Sequence, residues 1–311
     1  MFCIVAFVVL SILGIFSATH RELAHEALDC VFRRVTLRPC NTGFDEKMKA
    51  RILGSVITRS ETAARFLNKN FELLAWVFFL LMLTSGAYTL RSGYLFYVTG
   101  SCNGLNSSAF CVFDPTESNN QVSTSETCQI NPTTETDLSL DGVDLSTFPV
   151  MNAGSEQGVV MIGCYHCEYT RKAYPMIRDL ADRFDVQFHF LNYPVKEVDD
   201  SFTRLGYCAY QQDPQKFWDL NDRLFQGEMS LLDDPAYVDG LVEEAGLEED
   251  SLQACLSSPQ TQTAVLAQMN EAAKTQFFGT PTVFIHDQAF VGPKPYRVYA
   301  IALKGLFYWA F

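Results

Sequence analysis

The sequence predicts an α/β domain that carries an inserted block of helices and follows two transmembrane helices. Two observations predict the membrane part: neither residues 1–18 nor residues 73–90 contain a charged residue. A third predicts the α/β part, because apolar strand patterns and helical patterns alternate from residue 148 onwards. With 311 residues, the chain is long enough for both parts.

Each uncharged run has the length of a membrane span, since a helix of 18 residues extends ~27 Å. For residues 1–18 a cleavable signal peptide is the alternative, but the run lacks a basic start and Ser17-Ala18-Thr19 is only a loose cleavage site. For residues 73–90 the alternative is a buried core helix. We predict transmembrane helices at both places.

The basic residues predict the orientation of these spans. Residues 1–72 contain 10 Lys and Arg against 7 Asp and Glu, and all ten basic residues lie between the two runs. Residues 91–311 contain 13 against 29. Residues 19–72 should therefore form a cytoplasmic loop of a protein of the plasma or inner membrane, with the rest of the chain outside the cytoplasm. The acidic C-terminal part excludes nucleic acid as a partner.

Four residues of the predicted cytoplasmic loop are of types that bind metal ions: His20, His25, Cys30 and Cys40. Their spacings fit no compact zinc pattern, and free thiols in a reducing compartment are the simpler interpretation of the two cysteines.

Residues 91–147 are predicted to be an extracytoplasmic polar tether, because residues 101–146 are rich in Ser, Thr, Asn and Asp. Cys102, Cys111 and Cys128 lie in this tether, so at least one of the three has no partner inside it. One local disulfide and one free thiol is the simpler interpretation. A relay that passes electrons to or from Cys164 is the alternative.

Residues 148–311 are predicted to form the α/β domain. Its elements are a strand Gly158–Ile162, a helix Glu168–Phe184, a strand Val186–Tyr193, a helical insert at about residues 200–278, two strands Thr282–His286 and Gln288–Val291 around a turn at Asp287, and a helix Tyr296–Phe311. We expect the last helix to pack on the sheet, since its apolar run is too short to span a membrane.

The motif Cys164-Tyr165-His166-Cys167 stands between the first strand and the first helix of this domain. Unpaired N–H groups and the helix dipole favour a thiolate at a helix N-terminus, so Cys164 is the expected nucleophile. His166 could stabilise that thiolate further, or it could be a solvated turn residue. Half of a zinc site is another interpretation, but Cys208 and Cys255 further along have no companion at ligand spacing. We expect no metal and no cofactor.

A second motif, Phe278-Gly279-Thr280-Pro281-Thr282, directly precedes a strand. With the cysteine motif and the helical insert, it makes residues 148–311 resemble the thioredoxin superfamily, most closely its DsbA-like branch of extracytoplasmic thiol–disulfide oxidoreductases. The resemblance implies a thioredoxin-like fold with an inserted helical subdomain. It also implies a cis-proline at Pro281 that faces the cysteines, and a Thr280 backbone that receives a substrate cysteine.

The resemblance carries three further expectations. Tyr165 stands where family oxidases often have proline, and is expected at the substrate-docking surface. Relatives with cysteines at the places of Cys208 and Cys255 can join them in a structural disulfide; two buried thiols are the alternative. Many relatives carry a buried acid under the second cysteine, but Val159–Ile162 contains none, so the proton acceptor of Cys167 is unassigned and water could serve.

The expected function is that of a membrane-anchored enzyme, a thiol–disulfide oxidoreductase of the protein disulfide oxidase or isomerase type. Its redox-active Cys164–Cys167 disulfide would oxidise cysteine-containing secreted or membrane proteins, and a membrane redox partner would recharge the site. One alternative is a reductase or isomerase that serves a dedicated partner. The other is a non-catalytic thioredoxin-fold module that holds an extended peptide in the groove around Pro281.

Overall fold

The chain divides into two units, Met1–Arg91 and Ser92–Phe311. The computed structural model describes residues 2–15, 17–36, 38, 43–104, 110–115, 119, 121–123, 126–130, 137–155, 158–286 and 288–310.

The first unit is helical. Its elements are α1 (Phe2–Gly14), α2 (Ala18–Val35), α3 (Phe44–Ile57), α4 (Glu61–Lys69) and most of α5 (Phe71–Thr99). Helix α1 has only 13 residues, or ~20 Å, and its Ala6 and Leu10 pack against Ala27 of α2. The predicted first span over residues 1–18 is therefore not a helix of membrane length.

Among the described residues, only α5 is long and apolar enough to cross a membrane. It has 29 residues, a mean hydropathy of 1.8 in its apolar window and no residue of that window buried, and it contains the predicted span over residues 73–90. Cys30 of α2 is disulfide-bonded, so the expectation of a free thiol there is wrong, while Cys40 lies outside the described residues.

The second unit is built on a five-stranded sheet in the order β2-β4-β3-β6-β7. The strands are β1 (Cys128–Gln129), β2 (Val150–Met151), β3 (Gly158–Gly163), β4 (Gln187–Asn192), β5 (Gly279–Thr280), β6 (Thr282–Ile285) and β7 (Gln288–Val291). Strand β3 runs parallel to β4 and antiparallel to β6. The predicted strands are present, and the predicted turn residue Asp287 lies outside the described residues.

Side chains of β3 alternate between two apolar cores. Val159 and Met161 belong to the larger core, whereas Val160 and Ile162 belong to a smaller one with Phe148. All four are almost completely buried, as the period of two along a central strand requires. The continuous apolar run that predicts this strand therefore reflects burial on both faces.

Helix α6 (Glu168–Phe184) covers the larger core and has the predicted bounds. Its buried positions include Ala173, Tyr174, Ile177 and Leu180, which recur at the helical period on one face. The helix ends at Phe184, because the next residue, Asp185, has a left-handed φ of 48° that breaks the helical repeat.

The predicted helical insert consists of five helices. They are α7 (Ser201–Gln212), α8 (Pro214–Gln226), α9 (Pro235–Glu244), α10 (Glu249–Leu256) and α11 (Pro259–Lys274). The prolines of α8, α9 and α11 each stand at the first helical position, preceded by a capping Asp213, Asp234 or Ser258. Cys208 of α7 and Cys255 of α10 are joined by a disulfide.

The last helix, α12, spans Tyr296–Lys304 and is shorter than predicted, because Gly305 takes a φ of 83° that a helix cannot continue through. Val298, Tyr299, Ala300 and Leu303 are buried in the larger core. The helix therefore packs on the sheet domain, as expected from the sequence.

Part of the predicted tether is attached to the domain. Strand β1 pairs with β5, and residues Gln121 and Ser123 exchange backbone hydrogen bonds with Val291 of β7. Cys102 and Cys111 form the local disulfide that the sequence analysis considered for the tether. The third tether cysteine, Cys128, lies in β1.

The close contact of β3 with α6 predicts a difference between two glycines of one strand. A Cβ at Gly163 would lie 2.7 Å from Thr170 Cγ2 and 2.9 Å from Phe190 Cε2, whereas the nearest atom to one at Gly158 is 3.8 Å away. Gly163→Ala should lower the free energy of unfolding by about 1–3 kcal/mol through overpacking. The matched Gly158→Ala should cost less than ~0.5 kcal/mol, and equal denaturant midpoints for the two variants would contradict this packing.

Candidate active site

The cysteine motif lies where β3 meets the N-terminus of α6. Cys164 follows Gly163, the last residue of β3, and Cys167 is the residue that precedes the first turn of α6. The Cys167 amide donates to the Cys164 carbonyl oxygen at 3.1 Å, and the Cys164 amide donates to Thr170 Oγ1 at 3.3 Å. These bonds hold both cysteines at the helix N-terminus that the sequence predicts.

Three cysteines meet at this point, because Cys128 of β1 joins Cys164 and Cys167 in one buried cluster. The disulfide in this cluster connects Cys128 to Cys167, and Cys164 carries a free thiol. This pairing differs from the Cys164–Cys167 disulfide expected from the sequence. It arises because β1 brings a cysteine from 39 positions upstream against the motif.

The Cys164 thiol is completely buried beside the carboxylate of Glu197. Its Sγ donates to Glu197 Oε1 at 3.5 Å. Burial and then the negative charge of Glu197 raise the pKa of Cys164 to about 12, against the smaller opposing effect of the backbone N–H groups of Lys196 and His166. In this form of the protein Cys164 is a protonated thiol, whereas the helix N-terminus alone would favour a thiolate.

Glu197 is a central residue of the site that the sequence analysis missed. Its side chain is only 2% exposed. It accepts hydrogen bonds from the Tyr165 amide at 3.2 Å and from Asn192 Nδ2 at 3.0 Å. The sequence signal that could have found it is an acid shortly after the end of β4. Because β3 and β4 are parallel, the segments that follow them leave the sheet at the same end, so this acid lies near the cysteines that follow β3.

The second motif faces the cysteines from the other side. The Thr280–Pro281 peptide bond is cis, and the carbonyl oxygen of Thr280 lies 3.3 Å from Cys167 Sγ. Strand β1 covers this motif, with Cys128 opposite Thr280 and Gln129 opposite Gly279 in antiparallel register. Thr280 and Pro281 are both buried as a result.

The sequence and the structure were compared with known proteins. No curated protein matches the sequence. Among solved structures, the chain is similar to a thioredoxin-like oxidoreductase from Silicibacter pomeroyi, with 23% identity, 54% of this chain and 95% of that chain covered, and a TM-score of 0.45. The catalytic domain of Proteus mirabilis ScsC has 20% identity, coverage of 51% and 88%, and a TM-score of 0.45. Oxidised BdbD from Bacillus subtilis has 21% identity, coverage of 53% and 93%, and a TM-score of 0.41.

Residues 152–304 match the family model of the DSBA-like thioredoxin domain. This part of the chain is a DsbA-like thioredoxin domain. The family match confirms the thiol–disulfide oxidoreductase class that the sequence predicts, and with the observed sheet and helices it confirms the thioredoxin-like fold with a helical insert. Proteins with this domain act on cysteine-containing protein substrates.

His166 of the DsbA-like domain faces two carboxylates and not the sulfur of Cys164. Its Nδ1 lies 3.8 Å from Glu197 Oε1, and its Nε2 lies 3.2 Å from Asp233 Oδ1. Interaction with Glu197 chiefly, and with Asp233, raises the pKa of His166 in spite of partial burial. Its imidazolium therefore offsets the charge of Glu197, and only its backbone N–H acts directly on Cys164.

Tyr165 does not lie on the docking surface expected from the sequence. The side chain is 1% exposed, packs against Phe190, Phe202 and Phe225, and donates its hydroxyl hydrogen to Asn221 Oδ1. The expected substrate contact at Tyr165 is therefore wrong in this structure. An aromatic side chain after Cys164 gains more from burial in the core than from exposure to solvent.

A cavity of about 440 Å³ opens beside His166 and Glu197, between the active site and the helical insert. Phe202, Leu205, Leu232 and Val242 provide much of its apolar lining. The DsbA-like domain thus presents a partly apolar surface next to its cysteines.

The burial of Cys164 against Glu197 predicts the effect of a neutral replacement. Glu197→Gln should lower the pKa of Cys164, because it removes the strongest charge that opposes the thiolate. The pKa is measured from the ultraviolet absorbance of the thiolate against pH, with Cys164→Ser subtracted. The exposed Glu243→Gln on α9 is the control and should leave the curve unchanged. An unchanged curve in Glu197→Gln would rule out this electrostatic coupling.

The raised pKa of His166 predicts a pH-dependent contribution to stability. A pKa raised on folding stabilises the protein fully below the unfolded value of 6.5, and this stabilisation is lost as pH rises through the folded pKa. His166→Asn should therefore lower the free energy of unfolding most at acidic pH, by on the order of 1 kcal/mol at most. The exposed His286→Asn is the control. If the loss of unfolding free energy in His166→Asn increased as the pH rises, the prediction would be contradicted.

Proposed function

We propose that the protein is a membrane-anchored thiol–disulfide oxidoreductase that forms disulfides in cysteine-containing proteins outside the cytoplasm. The observation that carries this proposal is the placement of Cys164 and Cys167 at the N-terminus of α6, opposite the cis Thr280–Pro281 bond. Cys164, Cys167 and His166 are the proposed catalytic residues, with His166 acting on Cys164 through its backbone N–H and by offsetting the charge of Glu197. Thr280 and Pro281 are the proposed substrate-binding residues.

The active oxidised form in this proposal contains a Cys164–Cys167 disulfide. A substrate thiolate attacks Cys164, a mixed disulfide forms and Cys167 leaves as a thiolate. The second substrate thiolate then attacks the first substrate sulfur in the mixed disulfide, which forms the substrate disulfide and releases Cys164 as a thiolate. Two electrons have then passed from the substrate to the enzyme. Glu197, 3.5 Å from Cys164 Sγ, is placed to exchange the proton of this thiol.

The disulfides of the second unit support an oxidising compartment for this domain. Three are present among the described residues of that unit: Cys102–Cys111, Cys128–Cys167 and Cys208–Cys255. Such bonds persist outside the cytoplasm. Helix α5 is the proposed anchor, and the basic residues before it favour a cytoplasmic first unit. The disulfide of Cys30 is the observation that favours the opposite side for that unit.

Net oxidation requires a partner that removes electrons from the reduced enzyme. We propose a membrane redox partner of the quinone-linked or disulfide-carrying class, since thiol–disulfide exchange alone only moves a disulfide between proteins.

The reverse direction is the second candidate, and one observation favours it. Cys164 is completely buried beside the Glu197 carboxylate, which disfavours its thiolate, and a poorly stabilised thiolate makes a disulfide pair more reducing. A reductase or isomerase that serves a dedicated partner would use the same residues. The reduction potential separates the two candidates, because reductants of this superfamily lie near ~−270 mV and oxidants lie well above that value.

The proposed mechanism predicts the activity of cysteine variants. The full-length oxidised protein in detergent should oxidise a reduced model protein, and Cys164→Ser and Cys167→Ser should each return the rate to that of the uncatalysed reaction. The double variant Cys102→Ser/Cys111→Ser removes a local disulfide of the tether and serves as the control that retains activity. Unchanged turnover in Cys164→Ser would exclude the mechanism.

A further inference from the structure

Strand β1 pairs with the backbone of β5, where a substrate peptide would bind in the proposed function. We call this position on β5 the substrate edge. Cys128 pairs with Thr280, and the Thr127 Oγ1 hydroxyl donates to the Thr280 carbonyl oxygen at 3.1 Å. The amide of Ile130 donates to the Phe278 carbonyl oxygen at 2.8 Å. Residues 126–130, which we call the tether strand, thus bind at the active site as an extended peptide with a central cysteine.

The domain is shaped to accept the tether strand. A Cβ at Gly279 would lie 2.6 Å from Thr127 Oγ1 and 2.7 Å from the Cys128 carbonyl oxygen. A Cβ at Gly292 would lie 2.5 Å from the Glu126 carbonyl oxygen. A side chain at either glycine would therefore displace the backbone of the tether strand.

Charge complements this fit. Lys294 is 1% exposed, and burial lowers its pKa to about 7. The negative charges of Glu126 and Asp114 act in the opposite direction and raise the pKa of Lys294. Both acids belong to the tether. Docking of the tether therefore supplies negative charge to a buried lysine of the domain.

We propose that Cys128 is a third redox cysteine of this enzyme and that the tether strand is an intramolecular occupant of its substrate edge. The proposal rests on the proposed function and adds a second oxidised form. In the closed form, which is the structure described above, Cys128 is bonded to Cys167 and Cys164 is a thiol. In the open form Cys164 is bonded to Cys167, Cys128 is a thiol and the tether strand has left the edge.

Internal thiol–disulfide exchange converts the closed form to the open form. Cys164 gives its proton to Glu197 and its sulfur bonds to Cys167 Sγ, while the bond from Cys167 to Cys128 breaks and the Cys128 thiolate takes up a proton. One disulfide forms and one breaks, so no external oxidant or reductant is needed. Cys128, Cys164 and Cys167 already lie in one buried cluster, so the exchange takes place between neighbouring residues.

The closed form cannot oxidise a substrate, because Cys164 is a thiol and the substrate edge is filled. A substrate must compete with a segment of the same chain, whose effective concentration is in the ~mM range for a short linker. The tether would therefore restrain the enzyme until a substrate, or the redox partner, displaces it.

Disulfide mapping of the full-length protein tests the closed form. The protein is purified in detergent without reductant, alkylated and digested, and the linked peptides are identified by mass spectrometry. We expect a Cys128–Cys167 linked peptide together with alkylated Cys164. Recovery of only Cys164–Cys167 with alkylated Cys128 would overturn the proposal.

The Cys128→Ser variant tests the restraint. With substrate well below ~mM concentrations, we expect it to oxidise a reduced model protein about tenfold faster than the wild type, because the competing segment loses its covalent attachment. Rates that are equal to or lower than the wild-type rate would overturn the restraint. Absence of turnover in both proteins would instead reject the proposed function, and the mapping result would still decide whether Cys128 pairs with Cys167.

A variant that retains every cysteine guards against misfolding of Cys128→Ser. Thr127→Val removes the hydrogen bond to Thr280 and should shift the ratio of the two linked peptides about fivefold towards Cys164–Cys167. Thr263→Val, which removes an exposed hydroxyl of α11, is the matched control and should leave the ratio unchanged. An unchanged ratio in Thr127→Val would show that the tether strand does not control the pairing.

Discussion

The hydrogen bonding of β3 to β4 on one side and to β6 on the other determines where the chemistry of this protein lies. Because β3 and β4 are parallel, Cys164 and Glu197 follow their strands at the same edge of the sheet. Because β6 is antiparallel to β3 and Ile162 pairs with Thr282, Thr280 and Pro281 enter the sheet at that edge as well. Three segments that are far apart in sequence therefore meet around one pair of cysteines.

Burial sets the electrostatic state of this meeting point. The helix N-terminus and the backbone N–H groups of Lys196 and His166 favour a thiolate at Cys164, but loss of solvent and the nearby Glu197 carboxylate outweigh them. His166 moderates the charge of Glu197 without contacting the reactive sulfur. The reactivity of Cys164 therefore depends on its burial, and Cys128 of the tether belongs to the buried cluster that contains it.

The tether is thus part of the site as well as a connection to helix α5. Its backbone pairs with β5 and β7, its Glu126 and Asp114 act on Lys294, and its Cys128 bonds to Cys167. A polar composition predicts little burial for such a segment, because it offers few apolar side chains. Backbone hydrogen bonds and a disulfide, rather than many buried apolar side chains, attach the tether to the domain.

The sequence by itself determined the α/β order, the bounds of α6, the helical insert, the DsbA-like motifs and the apolar helix α5, because hydrophobic period, capping residues and cysteine spacing are local signals. The cover of β1 over Thr280, the role of Glu197, the burial of Tyr165 and the pairing of Cys128 with Cys167 were decided only by the tertiary structure. Each of these depends on contacts between residues far apart in the chain. A strand of two residues has no local sequence pattern that shows where its cysteine will lie. The sequence therefore predicted a Cys164–Cys167 disulfide, whereas in the structure Cys167 is bonded to Cys128.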